Sequence, residues 1–531
     1  MLLLNLKNMK DEILKIFVKE GFLLDKEMLD FFSQLEDEEI AREVISKISI
    51  LSKERVITKS LIVNNLPGLR EVFLGLKNLK KKVVEKFFLN ISLSIEVGKE
   101  TSVVEEIDEE ESMETQELPP KLKILSSKIL PSKKIEVKDF VNHFRSRYNF
   151  LKNLLQERPE LQNLVSIDKI GSNRNFSIIG IVSGKRVTKN KNLLLDVEDM
   201  TGKTVALVNH NREEVFEKSK GIVLDDIIGF KCSGTKEMLF VNDFIYPDCA
   251  LPEKKKLDTE IYALFISDLH IGSGNFLEEK FAKFVDWLNG NVENQEQLEK
   301  IKKIKYLFIV GDSIDGVGVF PGQDKQLKIL DITEQYEKLA FYLSKIPKEI
   351  TIIMCPGQHD ATRIAEPQPP PSEEFAAPLM KIENLFLVSN PSLVEIEGNG
   401  KRGMKVLMYH GASMHGLINE IEELRLAKAH TTPARVVKEF LKRRHLAVTH
   451  SSVDYIPSKE DGLLIREVPD IITTGEVHRA DIDLYNNILI IANSCWQSQT
   501  PFEEKIGNIP DPCKVPMLNL KTRELKILDF S

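Results

Sequence analysis

Cysteine is scarce. Five residues in a chain of 531, Cys232, Cys249, Cys355, Cys495 and Cys513, lie far apart with no CxxC pair. That spacing excludes a disulfide framework and a zinc ribbon, and it suits a reducing compartment. Positive charge is not in excess either. Lys and Arg number 73 against 81 Asp and Glu, a formal net charge of -8. Such a chain does not coat nucleic acid by bulk charge, although a local basic groove stays open to it. Long apolar runs are missing: the longest are of strand length, such as Ile304–Val310, far below the ~20 residues of a membrane span. The N-terminal MLLLNLKNMK is too short an apolar run for a signal sequence and is interrupted by Lys7 and Lys10. These absences lead to the expectation of a soluble, cytoplasmic protein with no membrane partner.

What is present is a globular balance, 42% hydrophobic and 29% charged, on a chain too long for one core. Three or four folded units are expected, in an α+β multidomain arrangement. Residues 1–98 carry apolar positions at spacings of three and four (Ile13, Ile16, Phe17; Leu29, Phe32, Leu35), which predicts a helical interaction domain. Between Glu105 and Glu117 stand eight acidic residues and no basic one. Like charges repel and little is available to bury, so 99–134 is expected to be an acidic disordered linker. Over 135–255 a helix (KDFVNHFRSRYNFLKNLL) precedes short period-two segments, FSIIGIVSG, LLLDVED, TVALVN and EMLFVND, with one helix-like insert. That pattern predicts a small OB-like barrel. From 256 to 531 strands and helices alternate, with polar loops at the carboxyl ends of buried strands, where open sheets place their sites. The tail VPMLNLKTRELKILDF is expected to form a closing strand pair.

Those loops are SDLHIGSG (267–274), GDSIDG (311–316), PGQHD (356–360), YHG (409–411) and GEVH (475–478). Eight of the ten histidines follow residue 260, and four of those eight sit in these loops. Each loop follows an apolar run and offers Asp, His or amide oxygen. Two divalent cations about 3.5–4 Å apart, bridged by a carboxylate, clamp a phosphodiester and acidify a bound water. Imidazole with carboxylate suits Mn, Fe or Zn better than Mg or Ca. One such fragment is common by chance; five in order at strand ends are not.

The set resembles the calcineurin-like metallophosphoesterase superfamily, with its DxH, GD, GNHD/E, lone His and GHxH. More closely, GDSIDG, PGQHDATRIAEPQPPP, FLKRRHLA and ANSCWQSQTPFEEKIGNIPDPCKVP resemble the small subunits of archaeal family D DNA polymerases, over residues 135 to 531. The replicative polymerase B-subunits of eukaryotes are more distant relatives. The resemblance implies a phosphoesterase domain of two packed sheets flanked by helices. It also implies two divalent metals, with manganese the expected ion. Carried over, Asp268, His270 and His478 would hold one metal and Asp312 would bridge both. The second would use Asp312, Gln358, His410 and Glu476. His359 would sit beside the scissile phosphate, with Asp360 orienting it. Two residues depart from the family pattern: Gln358 stands for Asn and Glu476 for His. Both fall on the second metal. Oxygen donors remain, but Gln is a methylene longer and Glu adds charge. A preference for a harder ion, weak second-metal binding and loss of function all stay open.

The resemblance further implies a heterodimer with a large catalytic polymerase subunit, and DNA as substrate, as a single strand or a mispaired 3′ end. The expected activity is a metal-dependent 3′→5′ exonuclease. Two alternatives stand beside it: a catalytically impaired scaffold for the large subunit, and a phosphodiesterase for small substrates. Arg435, Lys438, Lys442, Arg443 and Arg444 form a basic helix that could contact a DNA backbone, although most basic runs are solvated faces. His415, His430, His445 and His450 match no ligand position and are expected to be ordinary surface or hydrogen-bonded histidines. The proline-rich AEPQPPP (365–371) should form a stiff wall beside the HD loop.

Overall fold

The protein is described from a computed structural model. The residues described are 134–531 except 172–174 and 399–401, together with 15, 17–19, 21–24, 56–57, 118–119 and 121–127. The chain divides into two units, Met1–Glu109 and Glu110–Ser531. In the first, β1 (Leu23–Leu24) pairs in parallel with β2 (Val56–Ile57). The helical domain expected over 1–98 lies almost wholly outside the described residues, and so does the acidic run 105–117.

The second unit begins inside the stretch expected to be linker. Residues Leu122–Ser127 form β3, which pairs antiparallel with a strand at 392–396. The linker expectation over 99–134 is therefore corrected for this segment. It is free of the acidic run, and Leu122 is buried between the two large sheets, with Ile124 half-buried against the same cluster. Helix α1 (Val137–Gln156) follows, its start held where the Asp139 carboxylate accepts the Glu136 N–H at 2.9 Å. Tyr148, Leu151 and Leu155, three and four apart, lie on one face and pack against Ile179 and Ile227.

Those two residues belong to the barrel: β4 (Phe176–Val187), β5 (Leu193–Glu198), β6 (Lys203–Val208), α2 (Glu213–Lys220), β7 (Ile227–Gly234) and β8 (Leu239–Ile245). The strands close in the order β4-β5-β6-β8-β7. Alternate residues such as Leu193, Leu195 and Val197 point inward, as the period-two pattern requires. The barrel expected from the sequence is present.

Beyond it stand two six-stranded sheets. The chain runs through β9 (Tyr262–Ile266), α3 (Glu278–Leu288), β10 (Ile304–Val310), α4 (Ile332–Leu343), β11 (Thr351–Cys355) and β12 (Leu385–Leu387). It continues through β13 (Ser392–Ile396), β14 (Met404–Met408), α5 (Met414–Glu420), α6 (Ala434–Arg443), β15 (Ile471–Thr474), β16 (Asp481–Tyr485) and β17 (Ile488–Ala492). A short helix, α7 (Pro501–Ile506), precedes the antiparallel pair β18 (Lys514–Asn519) and β19 (Leu525–Asp529), the closing pair expected of the tail. The sheet orders are β12-β11-β10-β9-β18-β19 and β16-β17-β15-β14-β13-β3.

Alternation divides each strand between two cores. Ala263, Phe265, Phe308 and Val310 meet Val394, Val406, Met408 and Ile491 between the sheets. Leu264, Ile266, Leu307 and Ile309 pack outward on Phe281, Phe284, Tyr336 and Leu339. Leu407, Ile472 and Ile490 pack on Leu417, Val437 and Phe440 on the far side. The result is a helix–sheet–sheet–helix sandwich. Parallel pairing of β9, β10 and β11, and of β14, β15 and β17, sends their carboxyl ends to a common edge within each sheet. All five cysteines are buried and free. Among the described residues no helix is long and apolar enough to cross a membrane.

Candidate metal centre

All five polar loops leave the carboxyl ends of these parallel strands, and they meet. Asp268, His270, Asp312, Glu476 and His478 all have φ between +48° and +73°. L-residues enter this left-handed region at a cost, Asp less than most, and such conformations persist where the surroundings over-determine them. Here they turn each side chain back over the sheet edge. Two glycines make the approach feasible. A Cβ on Gly311 would lie 2.2 Å from His410 Nδ1, and one on Gly357 would lie 2.2 Å from Asp312 Oδ1.

The hydrogen bonds fix which nitrogen of each imidazole faces the centre. His270 Nδ1 donates to Asp315 Oδ1 at 2.9 Å, and His478 Nδ1 to Glu503 Oε1 at 2.9 Å. Each ring is therefore left with a bare Nε2, and the two Nε2 atoms face one another at 3.3 Å. Asp268 Oδ1 stands 3.4 Å from His478 Nε2. His410 repeats the pattern. Its Nδ1 donates to the Val310 carbonyl at 3.1 Å, while Nε2 faces Asp312 Oδ2 at 3.3 Å and Glu476 Oε2 at 3.1 Å. Acceptors aimed at acceptors repel unless a proton or a cation lies between them. Asp268, His270 and His478 form one cluster with metal-ligand spacing, and Asp268, Asp312 and His410 form another. The donor set fits two divalent ions, imidazole-rich on one side and carboxylate-rich on the other.

Electrostatics agree. Burial alone would raise the Asp312 carboxyl, yet His410, His359 and His270 hold it well below the usual carboxylate range. Burial alone would lower His410, but Asp312 and Glu476 raise it well above its ordinary value. Divalent ions would answer the same carboxylates without protons.

His359 stands at the cleft, its Nδ1 donating to the Asp315 carbonyl at 2.8 Å. Asp360, expected to orient His359, does otherwise. Its carboxylate accepts the backbone N–H of Gly357 at 2.8 Å and of Ser313 at 3.3 Å, tying two site loops together. Burial and the Asp312 charge push it up to about 7. The orienting role belongs to Asp315, which the sequence reading missed although it is the second Asp of GDSIDG. Gln323 in turn holds Asp315, through its Nε2 to the carbonyl at 2.8 Å and to Oδ2 at 3.2 Å. Glu503 was also missed. It lies in the capping box of α7 with Thr500 and so looks like an ordinary helix start.

Gln358 lines the cleft, in company with His415 and His430. His415, expected to be an ordinary surface or hydrogen-bonded residue, places its Nε2 3.4 Å from Glu476 Oε1. The signal available for it was its position, five residues after His410. His445 is hydrogen-bonded, as expected, to Asp461 at 2.9 Å. The proline-rich segment abuts the site: Gln368 Nε2 donates to the Gly357 carbonyl at 3.1 Å.

The basic helix is not a uniform cationic face. Arg443, 3% exposed, donates to Asp226 at 2.7 Å and to the Gly221 carbonyl at 2.6 Å, and also pairs with Glu439. Arg444, also buried, donates to the carbonyls of Ile465 and Arg466. Both are corrected: they are structural and closed to DNA. Lys438 pairs with Asp483, and Lys442 lies over the Tyr246 ring while pairing with Glu439. Arg435 is exposed.

Residues 263–481 match the family model for the B-subunits of DNA polymerases alpha and epsilon. A DNA polymerase II small subunit of Methanothermobacter thermautotrophicus is 40% identical over 401 residues, 75% of this chain and 80% of that one. The one from Archaeoglobus fulgidus is 33% identical over 90% of this chain and 91% of its own. The Pyrococcus furiosus relative is 39% identical over 421 residues, and there the match spans 66% of the relative's length. Among solved structures, an archaeal phosphodiesterase aligns at 12% identity and a TM-score of 0.26, covering 50% of this chain and 99% of that one. With 33% and 40% identity to these relatives over most of both chains, this protein belongs to the family of archaeal DNA polymerase II small subunits.

Proposed function

We propose that this chain is the hydrolytic subunit of a heterodimeric archaeal DNA polymerase, removing mispaired 3′ ends by metal-dependent 3′→5′ phosphodiester hydrolysis. The observation that carries this reading is the pair of bare Nε2 atoms of His270 and His478, 3.3 Å apart and each backed by a carboxylate. Asp268, His270 and His478 would hold one ion and Asp312, His410, Glu476 and Gln358 the second, with Asp312 between them; manganese suits this donor set. Ions held there would clamp a phosphodiester and acidify a bound water. The chain's own contribution is placement. Asp315 and Glu503 fix two imidazole tautomers. The Asp315 carbonyl accepts the His359 Nδ1–H, so a protonated His359 would carry its second proton on Nε2 and could pass it to the leaving oxygen, and the Asp312 charge favours that protonated ring.

The closed barrel has OB-like features, with its helix between the third and fourth strands, and such barrels commonly hold single strands. Of the basic helix, exposed Arg435 is best placed to meet a backbone, while Lys438 and Lys442 are half-buried and paired with Asp483 and Glu439. Membership of the small-subunit family implies that synthesis belongs to a large partner subunit.

One observation favours a second reading, a scaffold without catalysis. Glu476 Oε2 already lies 3.1 Å from His410 Nε2, an internal ion pair where the second metal would sit. The test is Mn²⁺-dependent degradation of a 5′-labelled, 3′-mispaired primer by the full chain, with and without the large subunit. Asp312→Ala is the control. Shortening that vanishes in the variant is expected. No shortening with any divalent metal, partner present, refutes the nuclease and leaves the scaffold.

A further inference from the structure

The cleft over the metal centre encloses about 740 Å³. That is more than a phosphate and two ions fill, and it falls within the ~300–1,000 Å³ of cavities that hold whole small molecules. Almost every residue that lines it is of a polar type, from the site histidines and carboxylates to Gln326, Asn419 and Gln497, although their carbon atoms expose more surface there than their polar atoms do. One side chain breaks the rule. Phe320 is the single apolar residue among those lining it. It is 37% exposed, and its ring centroid lies 6.4 Å from that of His359.

An isolated half-exposed Phe is ordinary on a protein surface, so position and rigidity have to decide. The loop that carries Phe320 is anchored. Val319 N–H donates to Gln323 Oε1 at 2.9 Å, and the same Gln323 amide donates to the Asp315 carbonyl at 2.8 Å. Asp315 in turn holds His270 and His359. The backbone that carries the ring is thereby tied, through one buried glutamine, to the residues that would act on the phosphate. An occupant of this cleft therefore has a charged end over the metal centre and a flat apolar face one ring away from His359.

We propose that Phe320 is a specificity-determining residue, the platform on which the base of the 3′-terminal nucleotide stacks while its phosphodiester lies over the metal centre. The inference rests on the nuclease reading above and adds to it a reason for acting on frayed ends. A paired terminal base keeps its own neighbours, whereas an unpaired one is free to stack on Phe320. Stacking is sequence-tolerant because every base has a π-face, and it is worth about 5- to 150-fold in binding.

The test uses the full chain with Mn²⁺ and a single-stranded oligonucleotide ending in 2-aminopurine, its last linkage a phosphorothioate to slow hydrolysis. The wild type is expected to quench the terminal fluorophore on binding. Phe320→Ala should weaken binding about 5- to 150-fold and abolish the quench, and Phe320→Trp should keep wild-type binding and the quench. An oligonucleotide with an abasic 3′ terminus should bind the wild type and Phe320→Ala alike. Phe320→Ala that binds within twofold of wild type and still quenches overturns the proposal. So does an equal loss on the abasic end, which would indicate a distorted loop. A wild type that shortens DNA but never quenches overturns the stacking and leaves the nuclease standing. One that neither binds nor shortens DNA overturns both.

Discussion

Asp315→Asn offers the sharpest test of how the centre is built. The substitution keeps size and shape, yet the hydrogen-bond network dictates which way the new amide points. Gln323 Nε2 donates to Asp315 Oδ2 at 3.2 Å, and His270 Nδ1 donates to Oδ1 at 2.9 Å. If the amide oxygen stays with Gln323, the new NH₂ confronts His270 Nδ1 donor to donor. The ring escapes by moving its proton to Nε2, and an Nε2–H cannot ligate a metal. If the amide flips instead, the clash moves to Gln323 and the loop it anchors. Removing a partner that orients a metal-bound imidazole costs about 10–100-fold in metal affinity, roughly 1.4–2.7 kcal/mol. Asp315→Asn should lie at or beyond the upper end, because it supplies the wrong group rather than none. Asp315→Ala, which lets water accept from Nδ1, should bind better than Asp315→Asn. The assay is isothermal titration with Mn²⁺, paired with circular dichroism to confirm folding. Asp315→Asn within threefold of wild type, or better than Asp315→Ala, would refute the tautomer argument.

Two further outcomes concern stability. Arg443→Met strands Asp226, 1% exposed, without its cation, and removing one partner of a buried pair costs about 3–5 kcal/mol. Urea unfolding of the barrel–sandwich unit should show that loss, and adding Asp226→Asn should restore at least half of it; no recovery would mean the orphaned charge is not the cause. His445 donates from Nε2 to Asp461 and accepts the Ala447 N–H at Nδ1, so the neutral ring is fully satisfied. Burial and the nearby Arg147 charge lower it to about 4. The folded state then binds fewer protons than the unfolded one between about pH 4 and 6.5. The associated stability is present above ~6.5 and is lost as pH falls, about 2–3 kcal/mol by pH 4.5. Comparing wild type with His445→Asn in urea at pH 7 and 4.5 should show the wild type losing that much more; parallel losses would refute it.

The local patterns carried a good deal. Period-two apolar runs are enough to specify barrel and sheet strands, because each alternate side chain must find a core, and the loops that end those strands are polar because they lie at a sheet edge. Asp268, His270, Asp312, His359, His410 and His478 were legible for that reason: each sits in a short loop directly after a buried strand. Residues whose role depends on what crosses the sheet edge were not legible. Asp315 and Glu503 act through rings 45 and 25 residues away. His415 gains its meaning from Glu476 on another loop, and Phe320 from the polarity of everything around it. The basic helix shows the same limit from the other side. Five cationic residues within ten positions of sequence share a charge pattern, but a helix turns 100° per residue. The packing of the barrel against α6 decides that Arg443 pairs with Asp226 in the interior while Arg435 stays in water. Sequence by itself determined which residue types stand at strand ends and therefore the kind of donors the candidate site offers. Only the tertiary structure decided which nitrogen of each imidazole is bare, because that depends on a hydrogen-bond partner supplied by another part of the chain.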